Sequence, residues 1–266
     1  MNTQWKIEHR NKNRYMTDKI YMKYHIASMH NEKTVSLQSP NGEQVVDPLD
    51  LSKYTYIQLP ELEDVDTGED KDIYKVLRER RSTRKFDPNK KMTFQEFTKF
   101  ILFSVGKACI NEFNFPYRTY PSGGAKYPVE INIITQRVEG LKDFHVYRFS
   151  GYTNRLYDME IDVDKKELKD ATCASKYDYA EYMDCNIFIF LSTAFERSTC
   201  KYGLLGYRLT LLEAGHIGQN LSLVAESMDI GNLPLGGFYE AKINKLLGLK
   251  KFGETTLYYY LIGGKL

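Results

Sequence analysis

The sequence predicts an α+β fold: one core domain over residues 69–266 behind an N-terminal arm, residues 1–68. Two observations carry this. Runs of strand character and runs of helical spacing interleave without a regular strand–helix–strand count, which argues against a doubly wound parallel sheet. No Gly-x-Gly-x-x-Gly follows a strand-like run and no Gly-x-x-x-x-Gly-Lys-Ser/Thr occurs, so neither a Rossmann dinucleotide site nor a P-loop is expected. No internal repeat is present.

The elements follow in order. The arm is polar, with few periodic apolar runs and turn signals at Asn41-Gly42 and Asp47-Pro48. Its composition is compatible both with a loosely packed extension and with a dimer-embracing or partner-binding arm. Glu61 to Asp72 is acidic, as a linker or the approach to a helix would be. Ile73, Val76 and Leu77 then recur at helical spacing and lead into Arg80. Thr93-x-x-Glu96 has the form of a capping box. Behind it Phe94, Phe97, Ile101 and Val105 share one helix face, and Gly106 can end that helix. Val129 to Gln136 and Phe144 to Phe149 read as strands with Gly140 between them. Asn186 to Ala194, containing Ile-Phe-Ile-Phe-Leu, reads as a buried central strand. Ile217, Leu221, Val224 and Met228 mark a long helix. Gly215 and Gly218 flatten one of its sides for the approach of another helix, and Gly231 is a natural C-cap. The chain closes on a β-rich run from Thr256 to Ile262, then Gly263-Gly264.

Composition bounds the function. The 266 residues are 42% hydrophobic and 27% charged, ordinary for a globular protein with a large core. A net charge of +2 is too balanced for a nucleic-acid or membrane-surface protein. No apolar run approaches the roughly 20 residues that span a bilayer. Met1 to Tyr15 is polar and lacks the apolar core of a signal peptide, so the expected location is the cytoplasm. Cys109, Cys173, Cys185 and Cys200 form no Cys-x-x-Cys pair. His9, His25, His30, His145 and His216 form no cluster with them, so free thiols and no metal are expected. The 21 tyrosines suit a peptide-contacting surface and would equally follow from compositional bias.

Four stretches could carry chemistry. In Arg80-Arg81-Ser82-Thr83-Arg84-Lys85-Phe86, an extended backbone puts Arg80, Ser82 and Arg84 on one side. Two forked guanidiniums and a hydroxyl suit a phosphate. In Arg118-Thr119-Tyr120-Pro121-Ser122-Gly123-Gly124-Ala125-Lys126-Tyr127-Pro128, Pro121 fixes one φ, and Gly123 and Gly124 let a flat ligand approach the main chain. Lys201-Tyr202 precedes Tyr207-Arg208, Glu213-Ala214-Gly215-His216 and Gln219-Asn220. Pro234-Leu235-Gly236-Gly237-Phe238 is a Gly-Gly turn before a helix, and Ile262-Gly263-Gly264-Lys265 closes the chain.

Together these stretches resemble the SagB/McbC-type FMN-dependent dehydrogenases of the nitroreductase-like superfamily, over about residues 69–266, with weaker similarity around Tyr54 to Pro60. The resemblance implies a central, mostly antiparallel sheet flanked by helices, with FMN at the interface of a homodimer. It assigns Arg80, Ser82 and Arg84 to the phosphate and ribityl chain. Pro121, Ser122, Gly123 and Gly124 would lie on the isoalloxazine ring, often from the partner subunit, with Gly236 and Gly237 over the ring. Lys265 is a possible stand-in for a basic tail. Lys201 and Tyr202 match a Lys-Tyr pair implicated in azoline oxidation. Leu204-Leu205 departs from the polar pair of many relatives, which bears on substrate contacts.

The implied substrate is a ribosomally made precursor peptide carrying thiazolines or oxazolines built by a partner cyclodehydratase, and the implied products are thiazoles or oxazoles. Either Tyr202 (free pKa about 10) acts as base beside the Lys201 ammonium, or Lys201 itself does. The alternatives are an NAD(P)H-dependent reductase of quinones, nitro compounds or dehydroamino acids, and a non-catalytic scaffold subunit of a peptide-modifying complex.

Overall fold

The structure, a computed structural model, describes residue 20 and residues 22–29, 51–68, 72–110, 116–172, 180–249 and 253–266. The arm's turn signals near residues 41 and 47 lie outside the described residues. In chain order the elements are β1 (Tyr56–Gln58), α1 (Ile73–Glu79), α2 (Phe94–Val105), β2 (Lys107–Ile110) and β3 (Pro116–Arg118). Then come β4 (Val129–Thr135), β5 (His145–Ser150), β6 (Arg155–Asp162), α3 (Lys165–Ala171) and β7 (Ile187–Ala194). The last are α4 (Glu196–Tyr202), α5 (Leu204–Ser227), β8 (Ile230–Leu235), α6 (Glu240–Leu246) and β9 (Glu254–Gly264).

Seven strands form one sheet in the order β1-β6-β5-β4-β7-β9-β8, and β2 pairs with β3 in a separate ribbon. Every pairing in the sheet is antiparallel. Side-chain alternation explains why the inner strands are apolar on both faces. In β7, Ile187, Ile189 and Leu191 join the core beneath α2 and α5, while Phe188 and Phe190 join the core on the other face. Phe97, Phe100, Ile101, Leu102 and Val105 of α2 complete the first core with Ala214, Ile217, Leu221 and Ala225 of α5. Leu168 of α3 and Ile243 of α6 close the second. Each such side chain contributes roughly 1.5–3 kcal/mol when fully buried. The result is three layers with the sheet in the middle.

The capping box of α2 forms as read: Thr93 and Glu96 exchange hydrogen bonds, with Glu96 N–H donating to Thr93 Oγ1 at 3.1 Å and Thr93 N–H to Glu96 Oε2 at 2.7 Å. Asp72 caps α1 by accepting from the Tyr74 amide. The end of the arm is not separate from the core: β1 pairs with β6 and Leu59 is buried.

Two glycine expectations are corrected. Gly231 does not end the long helix. That helix stops at Ser227, and Asp229 (φ 57) turns the chain into β8. Gly231 lies inside β8, where a Cβ would meet the Thr83 side chain at 2.8 Å. Gly218 accommodates no helix. A Cβ there would come within 1.8 Å of the Tyr260 hydroxyl from β9, and Gly215 has no atom within 4 Å of its Cβ position. No helix among the described residues is long and apolar enough to cross a membrane.

Candidate functional site

α4 and α5 would be one helix but for Gly203. Its φ of 54° and ψ of −137° suit a residue without a Cβ, and the chain breaks there. Gly206 lets the two pieces pack closely, since a Cβ would meet the Ser198 carbonyl carbon at 2.6 Å. Lys201 and Tyr202 therefore end α4 at the junction. The Lys201 ammonium lies 5.1 Å from the centroid of the Tyr202 ring. Neither side chain hydrogen-bonds or ion-pairs with another described residue.

The Gly-Gly turn meets this junction. Gly124 has φ 63, and a Cβ on it would come within 2.0 Å of the Tyr202 hydroxyl. A Cβ on Gly123 would press on Leu209 at 3.0 Å. Ser122 Oγ accepts from the Tyr127 amide at 2.9 Å and donates to the buried Glu213 carboxylate of α5, whose other oxygen accepts from the Val129 amide at 3.2 Å. The sequence thus places Ser122, Gly123, Gly124, Lys201 and Tyr202 in one locality.

A charged cluster backs the turn. Arg197 of α4 pairs with Glu130 of β4 and donates to the Tyr127 carbonyl at 2.8 Å. The Arg118 guanidinium lies 4.2 Å from the Tyr127 ring centroid and donates to the Tyr120 hydroxyl at 2.7 Å. Burial works against ionisation of Glu130, but Arg197, Arg148 and Arg118 outweigh it and hold that carboxyl below its usual range. Glu213 goes the other way: burial pushes it up to about 7 despite its hydrogen bonds and the nearby arginines.

The arm also reaches the junction. Within residues 22–29, the Tyr24 hydroxyl donates to the Leu204 carbonyl at 3.0 Å. Arg208 donates to the His25 carbonyl at 3.0 Å and to Ser28 Oγ at 2.5 Å. Tyr207 lies edge-on to Tyr24 and stacks on Phe195. Sequence reading gave Tyr24, Ser28 and Glu213 no role. Glu213 carried one signal, a carboxylate within a buried helix face.

The Arg-Ser-Arg segment lies elsewhere. Its Thr83 amide donates to the Asn232 carbonyl of β8 at 2.8 Å, and Phe86 bridges to Lys265. Arg80, Ser82 and Arg84 make no side-chain hydrogen bond or ion pair with described residues. Gly236 and Gly237 follow β8, and a Cβ on either would meet nothing within 4 Å. Lys265 is already engaged, with its ammonium 3.2 Å from Glu226 and 3.0 Å from Asp229. Two groups result. One adjoins Leu209, near the start of α5. The other lies beside β8, where Asn232 donates to Ser222 at 2.7 Å. The helix between those contacts is roughly 20 Å long.

Comparison with known proteins gives a consistent picture. The Nitroreductase family profile matches residues 77–264. A nitroreductase-type protein of Methanocaldococcus jannaschii is 31% identical over 199 residues, covering 74% of this chain and 91% of its own. The microcin B17-processing protein McbC of Escherichia coli is 26% identical over 174 residues, 59% of this chain and 60% of McbC. Among solved structures, a nitroreductase-type chain from Anabaena variabilis superposes with a TM-score of 0.64 at 21% identity, over 83% of this chain and 43% of that one. The Escherichia coli McbBCD microcin synthetase complex with truncated pro-MccB17 bound superposes at 0.63 and 18% identity, over 90% of this chain and 84% of that one. These structures share the fold.

Proposed function

The chain belongs to the nitroreductase family of oxidoreductases, and from that premise we propose that it is an FMN-dependent dehydrogenase oxidising peptide thiazolines or oxazolines to thiazoles or oxazoles. The observation that carries this reading is the meeting of Tyr202 with Gly124 of the turn, with the Lys201 ammonium beside the Tyr202 ring. A plain flavin reductase needs a ring-facing turn but has no use for an ammonium and a phenol held beside it without partners among the described residues. The similarity to McbC, named as processing microcin B17, supports a peptide-modifying role.

Members of this family typically bind FMN, and the residues present fit that group. Arg80, Ser82 and Arg84 offer unengaged forked donors and a hydroxyl for the phosphate. Gly236 and Gly237 leave their backbone open to a flat ring. Lys265 fits poorly, since Glu226 and Asp229 already neutralise its charge. When bound, FMN supplies the two-electron acceptor that aromatisation of the ring requires.

The chain's own residues then do the rest. An azoline loses a proton from the ring carbon next to the peptide carbonyl and a hydride from its ring neighbour. Lys201 and Tyr202 together take that proton. The turn at Gly123 and Gly124 sets how close the reacting ring lies to them. The arm, through Tyr24 and Ser28, fixes the start of α5 and so the wall beside the pair. Two copies of the chain complete each site, because the turn of one and the phosphate segment of the other must converge on one cofactor. A partner cyclodehydratase would supply the ring-bearing peptide.

A second reading, an NAD(P)H-driven reductase, is favoured by the Methanocaldococcus relative. Mass spectrometry separates the two. The dehydrogenase removes two hydrogen atoms per ring from an azoline-bearing peptide, and Lys201→Ala abolishes that loss. An unchanged peptide, with rapid NAD(P)H consumption, supports the reductase.

A further inference from the structure

Resting on the reading above, in which the Gly123-Gly124 turn faces the reacting ring, we propose that Glu213 is a positioning residue: its ionised carboxyl holds the Ser122–Tyr127 turn against Tyr202, and protonation releases it.

The geometry is a relay from α5 to the turn. Glu213 is 1% exposed. One oxygen takes the Val129 amide and the other takes the Ser122 hydroxyl. The same hydroxyl oxygen accepts from Tyr127 N–H, so its proton must point at Glu213. A carboxylate accepts it. A protonated carboxyl can keep the contact only by donating to Ser122 Oγ while the Ser122 proton swings away, so a charge-assisted bond gives way to a weaker neutral one.

The turn depends on that tie. Gly124, Ala125 and Tyr127 all have left-handed φ values, of 63°, 52° and 46°. Ala125 and Tyr127 adopt such a shape only where surrounding contacts impose it. Loosening Ser122 relaxes the segment that abuts the Tyr202 hydroxyl.

The groups acting on Glu213 are Arg118 from β3, Arg197 from α4, Tyr120 just before the turn and Tyr127 within it, and Glu130 of β4 shares both arginines. Against the effect of burial, Arg197, Arg148 and Arg118 keep Glu130 ionised below its usual range, and burial keeps Tyr120 and Tyr127 protonated above neutrality. Burial brings Glu213 to about 7, so its proton is the one exchanged in the neutral range. Turnover should accordingly rise with pH through neutrality.

Amide hydrogen exchange of residues 122–127 in the full-length protein tests this without substrate. Normalised to intrinsic rates, protection should fall roughly tenfold between about pH 8 and about pH 6, the change expected when a charge-assisted hydrogen bond is lost. Glu213→Gln should erase the pH step. Ser122→Ala should erase it too, cutting the tie while keeping the carboxyl, and it serves if the first variant does not fold. A step that persists in either folded variant, or is absent from the wild type, overturns the proposal. Azoline turnover measured in parallel keeps the two readings apart. An exchange step without azoline oxidation supports Glu213 and sinks the dehydrogenase reading. Oxidation without an exchange step does the reverse.

Discussion

At the residue scale, Gly124 couples backbone shape to the placement of the Tyr202 hydroxyl. It combines a left-handed φ with a Cβ position 2.0 Å from the Tyr202 hydroxyl. Gly124→Ala should cost about 1–2 kcal/mol from the backbone alone. It should also displace Tyr202 and lower turnover more than about tenfold, read by steady-state kinetics on the folded variant. Glu213 gives a pH signature. Its pKa is raised in the fold to about 7 from 4.5, so the folded protein holds the proton more tightly than the unfolded chain does. The associated stability is complete below about 4.5 and is lost as pH rises through about 7, a change of about 3 kcal/mol. Glu213→Gln stays neutral, so its melting temperature should exceed that of the wild type at pH 8, and the advantage should vanish in acid. Equal losses at both pH values would contradict this. The turn and the Lys-Tyr pair were legible because each is contiguous in sequence. The partnership of Glu213 with Ser122 spans 91 residues and no local pattern announces it.

At the element scale, the segment from Arg80 to Phe86 runs beside β8 and β9, held by Thr83 and Phe86, and leaves its three donors unengaged. Arg84→Ala should therefore keep the fold and lose flavin on gel filtration. Stoichiometric flavin in that variant would place the phosphate elsewhere. Strands and helices were readable where alternation or 3.6-residue spacing was strong, as in β7 and α2, because a both-face or one-face core writes itself into composition. The end of α5 was not. Gly231 looks like a C-cap by sequence, yet it is glycine because Thr83 lies on it. Gly218 answers to the Tyr260 hydroxyl in the same way. Such demands come from side chains distant in sequence. The break at Gly203 was not legible either, since one glycine in a polar stretch marks no boundary by itself.

At the scale of the whole molecule, α5 keeps two groups of site residues apart, the Gly-Gly turn with Lys201 and Tyr202 near one end and the Arg-Ser-Arg segment near the other. On the proposed reading, one cofactor reaching both would be shared with a second copy. Leu204, Leu211 and Leu212 of α5 are exposed, and we propose them as the apolar face for that copy. Leu212→Asp should yield a monomer by sedimentation and lose flavin together with dimerisation. A monomeric wild type that retains flavin would remove the shared site. The arm's contacts at Tyr24 and Ser28 were beyond sequence reading, because a polar extension carries no periodic signal for where it docks.

The central claim is that an azoline-bearing peptide, and not a nicotinamide, delivers electrons to this protein. The most direct measurement is anaerobic bleaching of the flavin absorbance, with the peptide set against NAD(P)H. Rapid bleaching by the peptide, slowed at least about a hundredfold in Lys201→Ala as expected for loss of a general base, is the predicted result. Bleaching by NAD(P)H alone, unaffected by Lys201→Ala, would contradict the account and leave Lys201 and Tyr202 outside the chemistry.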